Sequence, residues 1–220
     1  MAPSYWYVGS SLNVHGLDEA GQQTLTTTLR SAGVSIGALT YCDNMLEPDE
    51  KQRAAKWEHL AEAVEAAARL HAGVVNIFVG RDPAKKLGDC IAEFARLAGP
   101  VVKKAEDAGV RLAIENCPMP GWQFEDMPGN AAFSPQLWEK IFTHISSDAV
   151  GLCFDPSHLV WLGVDPISAA TDYAEKIFYV HAKDTEVFAN RRNDCSVLRP
   201  GGGWWRYRIP GLGEIDWRRL

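Results

Sequence analysis

The sequence predicts an α/β fold with parallel strands, of the (β/α) barrel type. The first observation is an alternation of short apolar segments with helical segments, repeated about five times along the chain. Short apolar runs are typical of strands buried on both faces, and strands separated by helices form parallel βαβ units. The second observation is that ionisable residues stand at the carboxyl ends of three successive apolar runs. These residues are Glu115, Asp155 and His181.

Two architectures satisfy this alternation, an open doubly wound sheet and a closed (β/α) barrel, and composition does not choose between them. In a barrel the strand ends meet at one mouth, so successive strands can direct ligands to one point. In an open sheet the ends are spread along an edge, about 4.8 Å apart per strand, and convergence is harder. The three ionisable strand ends therefore favour the barrel.

Five helices are predicted from apolar residues at helical spacing and from their end signals. Glycines follow the first three helices, in the usual position after a helix end. Asp82-Pro83 and Ser134-Pro135 are start signals for the third and fourth. Pro100 predicts a kink within the third. The predicted helices span residues 17–30, 50–71, 82–108, 134–145 and 165–176.

Five strands are predicted between these helices, at residues 34–41, 74–80, 110–116, 151–155 and 177–184. Pro156 is expected to end the fourth strand in a turn, because proline cannot donate to the ladder. The aromatic segment 4–12 is prone to form a strand but is too short to assign. Residues 117–133 and 185–213 are predicted to be long loops, and Asp216 is predicted to begin a further helix.

Length and composition are those of one globular domain over residues 1–220. The chain is 46% hydrophobic and 23% charged, which is enough for one sizeable core. Its formal net charge of -6 argues against nucleic acid or a membrane as a partner. Five cysteines without a CxxC pair favour a reduced, cytoplasmic protein over a disulfide framework. The sequence shows neither a targeting signal nor an apolar run of membrane-spanning length.

Glu115, Asp155 and His181 predict a divalent-metal site. Ionisable side chains in apolar strands are costly to bury unless they are paired or bound to a metal. Two carboxylates and one imidazole suit a cation of borderline character, and Mn, Co, Zn and Mg all fit. Taken singly, each residue has a simpler interpretation. Glu115 can be a buried acid bonded to backbone amides, Asp155 can be part of an Asp-Pro turn, and His181 can be a core histidine.

Polar residues near these strand ends are candidates for substrate contacts. His158 and Asp184 are predicted to orient ligands or substrate, and Lys183 to compensate charge, although Lys183 and Asp184 also read as an ordinary solvated pair. Arg206 and Arg208 lie in the second long loop, where guanidinium groups would suit a phosphate or carboxylate. They read equally well as solvated loop charges.

Four segments together resemble the sugar-phosphate isomerase/epimerase proteins of the xylose-isomerase-like TIM-barrel superfamily. They are LAIENCP (112–118), GLCFDPSHLVW (151–161), YVHAKDTE (179–186) and WWRYRIPGLGEIDW (204–217). The resemblance implies that Glu115, Asp155 and His181 are three of four metal ligands and that His158 contacts the substrate. It also implies that Glu115 is one of two acidic residues that act as acid and base. Asn116, which follows Glu115, is counted among the substrate-binding candidates.

The chain departs from the family pattern in length, because family barrels have eight strands and carry the fourth ligand, a glutamate, on the last one. The sequence predicts five strands with room for a sixth, so we expect a barrel truncated at both ends. Glu214 is the nearest acid, but the family pattern places it in a loop. An unclosed barrel exposes two strand edges, so we expect homo-oligomers or aggregates.

The predicted function is a metal-dependent isomerase or epimerase acting on a small sugar, sugar phosphate or polyol. Glu115 and His158 are the catalytic candidates. A carboxylate would remove a proton between two polarised oxygens, and an enediolate would form. Three alternatives stay open. One is a dehydratase of the same barrel type, similar to inosose dehydratase; another is an abasic-site endonuclease, which needs histidines that this sequence lacks; the third is a non-catalytic fragment.

Overall fold

Five parallel strands form one sheet in the part of the chain that the computed structural model describes, residues 14–119 and 129–220. They are β1 (Leu39–Tyr41), β2 (Val74–Ile77), β3 (Arg111–Glu115), β4 (Val150–Phe154) and β5 (Ile177–Val180). Each strand pairs in parallel with the next one along the chain. A doubly wound sheet would reverse its strand order at a switch point, whereas sequential order is that of a barrel wall. The predicted fold class is therefore confirmed.

Helices alternate with these strands as the sequence predicted. The helices of the described residues are α1 (Glu19–Ser31), α2 (Glu50–Arg69), α3 (Leu87–Ala108), α4 (Pro135–His144), α5 (Pro156–Leu162), α6 (Pro166–Asp172) and α7 (Ala189–Cys195). Aspartates cap several of them. Asp18, Asp49 and Asp165 accept backbone N–H bonds at the starts of α1, α2 and α6, which satisfies donors that a helix start leaves free.

The core lies between the sheet and the helices α2, α3 and α4. Trp57 of α2 packs against Phe94 of α3 with ring centroids 5.6 Å apart, and Trp138 of α4 packs against Phe154 of β4 at 6.3 Å. The indole N–H groups of Trp57 and Trp138 donate to the backbone oxygens of Met45 and Ala132, so both rings are buried without an unsatisfied polar group.

Two elements begin later than the sequence predicts. The first strand begins at Leu39 rather than at residue 34, because Val34 bonds back to the carbonyl of Leu29 at the end of α1. The third helix begins at Leu87 rather than at Asp82. Asp82 instead accepts the backbone N–H of Ala84, which makes a local turn before the helix. Helix α3 then continues through Pro100.

Pro156 ends the fourth strand as predicted, but it begins the short helix α5 rather than a turn. Asp155 is the N-cap and accepts the backbone N–H of Ser157. Proline favours the first helical position because its ring fixes φ near the helical value and its missing N–H is not needed there. His158 therefore lies in the first turn of a helix.

The segment predicted as the loop 185–213 contains a β-ribbon, so that prediction is wrong. Strand β6 (Asp184–Val187) pairs antiparallel with β7 (Trp205–Arg208), and α7 lies between them. The predicted strand 177–184 is consequently divided, since β5 ends at Val180.

The terminal prediction also differs from the structure, because residues 217–219 form one turn rather than a helix. The aromatic segment 4–12 and residues 120–128 of the first predicted loop lie outside the described residues. None of the helices in the described ranges is long and apolar enough to cross a bilayer.

Candidate metal centre and active site

Glu115, Asp155 and His181 converge at the carboxyl edge of the sheet. Glu115 is the last residue of β3, Asp155 follows β4, and His181 follows β5 with its N–H bonded to the carbonyl of Phe154. One ligand atom from each of the three lies within 4.8 Å of the others. His181 Nδ1 is 3.3 Å from Glu115 Oε1. The structure therefore brings together the three residues that the strand pattern singled out.

Both carboxylates of this group are buried and ionised. Burial works to raise the pKa of Glu115, but hydrogen bonds and positive charge from His158 and His181 lower it to about 2. Burial likewise works to raise the pKa of Asp155, and His158 and Lys183 lower it to about 2. Both carboxylates are therefore ionised, and positive charge on neighbouring side chains compensates them.

Neighbouring side chains orient Asp155. The Asn116 side chain accepts the N–H of Asp155 at 2.7 Å and donates to its carbonyl at 2.9 Å. Both the N–H and the hydroxyl of Ser157 donate to Oδ1. Oδ2 is then left facing the cluster, where it contacts Lys183 Nζ and His158 Nε2. Both ends of the Asn116 amide are thus bonded to the backbone of Asp155. The substrate contact predicted for Asn116 stays a prediction.

His158 lies beside the two carboxylates and is buried. Its Nε2 is 3.2 Å from Asp155 Oδ2 and 3.8 Å from Glu115 Oε1. Burial lowers the pKa of this imidazole, but Asp155 in the first place, with Cys117 and Glu115, raises it to about 10. Lys183 Nζ completes the group at 2.7 Å from Asp155 Oδ2 and 3.2 Å from His158 Nε2.

Tyr207 of β7 also belongs to the site, and sequence reasoning missed it. Its hydroxyl lies 2.7 Å from His158 Nδ1, and Lys183 Nζ lies 4.1 Å from its ring centroid. The Trp205 ring packs against it at 4.8 Å and stacks on Trp161 of α5 at 4.6 Å. The alternation of aromatic and basic residues over 204–208 was the available signal, because side chains two apart on a strand share a face.

Arg206 and Arg208 lie on the other side of β7 and pair with Glu186 at 2.7 and 3.2 Å. A substrate-binding role for them stays a prediction. Arg208 does line a shallow groove of about 460 Å³ that begins beside Tyr207. The groove is lined by Ala182, Tyr207, Arg208, Ile209, Pro210 and Leu212.

Asp184 organises the loop after β7, and its role in orienting ligands or substrate stays a prediction. Its buried carboxylate accepts five N–H groups. The donors are the backbone N–H groups of Thr185, Gly211, Gly213 and Ile215 and the indole N–H of Trp217. Glu214 lies in the same loop and accepts the N–H of Val187 at 3.4 Å. It is not part of the metal-ligand group found among the described residues.

The donor set fits a divalent cation. Two ionised carboxylates and an imidazole are ligands that Mn²⁺, Co²⁺, Zn²⁺ and Mg²⁺ accept to different degrees. The buried oxygen Asp155 Oδ2 is held toward the cluster, beside the ammonium of Lys183 and the imidazole of His158. A cation there would take over the compensation of the two carboxylates from these positively charged side chains.

Comparison with known proteins agrees with the fold. The description of the xylose isomerase-like TIM barrel family matches residues 5–220, so the chain belongs to this family. The resemblance carried by the four motifs is thereby confirmed.

Curated relatives match over part of their length. The uncharacterized protein YfiH of Bacillus subtilis is 31% identical over 125 residues, which are 53% of this chain and 36% of that protein. An inosose dehydratase of Clostridium botulinum is 30% identical over 84 residues, 37% of this chain and 28% of that protein. The matches thus cover about a third of the length of these relatives.

Solved structures show the same fold at low identity. The IolI protein with a bound zinc atom is 20% identical with a TM-score of 0.66, and covers 92% of this chain and 67% of its own. Mannonate dehydratase from Streptococcus suis is 14% identical with a TM-score of 0.69, and the match covers 91% of this chain and 66% of that protein. L-ribulose 3-epimerase is 19% identical with a TM-score of 0.65, and the match covers 92% of this chain and 62% of that protein.

Proposed function

We propose that this protein is a metal-dependent isomerase or epimerase of a small sugar, sugar phosphate or polyol. The observation that carries the proposal is the convergence of donor atoms from Glu115, Asp155 and His181 within 4.8 Å. These residues would hold a divalent cation, Mn, Co, Zn or Mg. When bound, the cation would supply Lewis-acid polarisation of a substrate oxygen.

Glu115 is the proposed base. Its carboxylate is ionised, since its pKa lies at about 2, and its Oε1 faces both imidazoles. A carboxylate in this position can take a proton from a substrate carbon next to a carbonyl, which generates an enediolate. Returning the proton to the neighbouring carbon gives isomerisation, and returning it to the opposite face gives epimerisation.

His158 and Lys183 are proposed to stabilise the negative oxygen that forms in this step. Their Nε2 and Nζ atoms are 3.2 Å apart, so one substrate oxygen can accept hydrogen bonds from both. Charge-assisted donors fixed before the reaction stabilise the developing charge without reorganisation. The Tyr207 hydroxyl holds the other nitrogen of His158, and the Trp161–Trp205 stack would keep water from this side of the site.

A dehydratase is the second candidate. Inosose dehydratases recur among the curated relatives, and a mannonate dehydratase is among the similar structures. The first step is the same proton removal by Glu115. The enediolate then expels the hydroxyl on the next carbon, which leaves as water with one proton, and a carbon–carbon double bond remains.

Deuterium exchange tests both candidates through their shared first step. The protein is freed of metal with a chelator, reloaded separately with Mg²⁺, Mn²⁺, Co²⁺ or Zn²⁺, and incubated in D₂O with ketoses, ketose phosphates and inososes. We expect exchange at the carbon next to the carbonyl, followed by NMR. Isomer or epimer formation supports the first candidate, and a product lighter by one water supports the dehydratase.

Glu115→Gln should abolish this exchange while ligand binding, followed by calorimetry, remains. The matched control is Glu65→Gln, because Glu65 lies on the outer helix α2 and pairs with Lys104. Exchange that persists in Glu115→Gln would remove Glu115 from the mechanism. Exchange that is indifferent to the chelator would contradict metal dependence.

A further inference from the structure

Three of the five cysteines lie at the carboxyl edge of the sheet, beside the candidate ligands. Cys42 follows β1 and places Sγ 3.7 Å from Glu115 Oε2. Cys153, within β4, places Sγ 3.6 Å from His181 Nε2. Cys117 follows Glu115 by two residues. The proposed function uses none of these sulfur atoms.

Cys117 forms its own ligand group with Glu115 and His158. One ligand atom from each lies within 4.8 Å of the others, and Glu115 Oε1 is 3.8 Å from His158 Nε2. Carboxylate, thiolate and imidazole are all common zinc ligands, and a tetrahedral zinc site places its ligand atoms roughly 3.3–3.8 Å apart. Small side-chain movements would therefore close this group around an ion.

The backbone that carries this group is fixed in place. Asn130 Nδ2 donates to the carbonyls of both Glu115 and Cys117, at 2.9 and 2.8 Å. Its Oδ1 accepts the N–H groups of Val79 and Gly80 after β2. Because Asn130 bonds both carbonyls, the backbone at Glu115 and Cys117 is anchored to the end of the neighbouring strand.

A second sulfur atom adds to the soft character of the group. Met119 Sδ lies 3.3 Å from Cys117 Sγ, and Met119 adopts a positive φ of 49°. Thiolate and thioether sulfur favour thiophilic cations over Mg²⁺ and Mn²⁺, which prefer oxygen. The two ligand groups of the site therefore differ in the metals that they suit.

We propose that Glu115, Cys117 and His158 form a second metal position that takes a thiophilic divalent cation such as Zn²⁺ or Cd²⁺. Glu115 is shared with the Asp155–His181 position, and a carboxylate can bridge two ions about 3.5–4 Å apart. The thiol proton of Cys117 leaves to solvent when the ion binds. This inference goes beyond the proposed function, because it concerns metal stoichiometry and selectivity. His158 Nε2 cannot ligate an ion and donate to a substrate oxygen at once, so the ion at this position and that substrate contact exclude each other.

Titration of the metal-free protein with Cd²⁺ tests the proposal. We expect saturation at two equivalents by calorimetry, with a sulfur-to-cadmium charge-transfer band in the ultraviolet. Cys117→Ser should lose the band and saturate at one equivalent. Cys117→Asp should lose the band but keep two equivalents, because a carboxylate replaces the thiolate. The matched control is Cys195→Ser, whose thiol lies on α7 and donates to the Arg191 carbonyl; it should keep both signals.

Two results would overturn the proposal: a band that persists in Cys117→Ser, or saturation of the wild-type protein at one equivalent. Circular dichroism and thermal midpoints establish that each variant is folded. Asp155→Asn should keep the sulfur band but saturate with Cd²⁺ at one equivalent, because the Asp155–His181 position loses a ligand. A sulfur band that depends on Cys117, together with no substrate exchange under any condition, would refute the proposed function and leave this inference standing.

Discussion

Replacing Asp184 by asparagine should weaken the loop that follows β7. Oδ1 of this buried carboxylate accepts the N–H groups of Thr185 and Ile215 at 2.8 and 3.2 Å. Oδ2 accepts those of Gly211, Gly213 and the Trp217 indole at 3.0, 3.1 and 2.9 Å. Five donors thus converge on one side chain, and asparagine offers one acceptor oxygen in place of two.

The magnitude follows from the donors that lose an acceptor. The amide oxygen can best replace Oδ2 and keep three bonds, so the N–H groups of Thr185 and Ile215 then face the amide nitrogen. Leaving a buried donor unsatisfied costs about 1–3 kcal/mol. We therefore expect Asp184→Asn to lower the free energy of unfolding, or of local opening of residues 209–217, by about 2–6 kcal/mol.

Denaturant unfolding measures the change in global stability, and amide hydrogen exchange measures the local opening of the loop. At the lower limit of about 2 kcal/mol, exchange at Gly211, Gly213 and Ile215 should accelerate about 30-fold. Asp165→Asn is the matched control, because asparagine caps a helix about as well as aspartate and should change stability little. A loss below about 1 kcal/mol, with unchanged protection of these three amides, would refute the account of Asp184 as the organiser of this loop.

The same carboxylate predicts a pH dependence. Burial works to raise the pKa of Asp184, but the Trp217 indole and the backbone N–H donors outweigh it and lower the pKa. A lowered folded-state pKa gives stability that is fully present above the unfolded value of about 3.9 and is lost as pH falls through the folded value. The difference between wild type and Asp184→Asn should therefore shrink below about pH 4. A difference independent of pH would contradict this.

Three further changes test other contacts. Tyr207→Phe keeps the ring beside Lys183 and removes the hydroxyl at His158 Nδ1. ¹⁵N NMR should therefore report a shifted His158 Nδ1 resonance, and kcat should fall more than KM rises, whereas Tyr173→Phe should leave that resonance unchanged. Gly151→Ala should destabilise by about 1–3 kcal/mol in urea unfolding, because a Cβ there would clash with the Lys176 carbonyl oxygen; an unchanged midpoint would contradict that. The outer strand β5 exposes Val180, so Val180→Lys should reduce any self-association seen by size-exclusion chromatography, while an unchanged profile would exclude pairing through this strand.

Local sequence patterns predicted most of the strands and helices that form the barrel wall. The alternation of apolar runs with helical periodicity predicted all five parallel strands and five of the seven described helices, although α3 begins five residues after its start pair. These signals work because side-chain periodicity and capping act over a few neighbouring residues. Strand ends were less well predicted, as at Val34, because ladder pairing depends on a distant partner.

The site was predictable where strand ends dictated it. In sequential parallel strands all carboxyl ends lie at one edge, so Glu115, Asp155 and His181 had to lie near one another once the strands were found. The contact of Tyr207 with His158 and the hydrogen bonds of Asp184 to the loop after β7 were not predictable. Both depend on the pairing of β6 with β7 across 17 intervening residues that include a helix. Such pairing leaves only a weak mark in the local sequence.

The sequence by itself determined the fold class and the strand that carries each candidate ligand. Only the tertiary structure decided which neighbours face that cluster. It directs Tyr207 toward His158 and Arg206 toward Glu186, and it places the Cys117 sulfur with Glu115 and His158. The physical reason is that periodicity along the chain determines on which face of a strand or helix a side chain lies. Long-range packing and hydrogen bonding determine which groups its polar atoms contact.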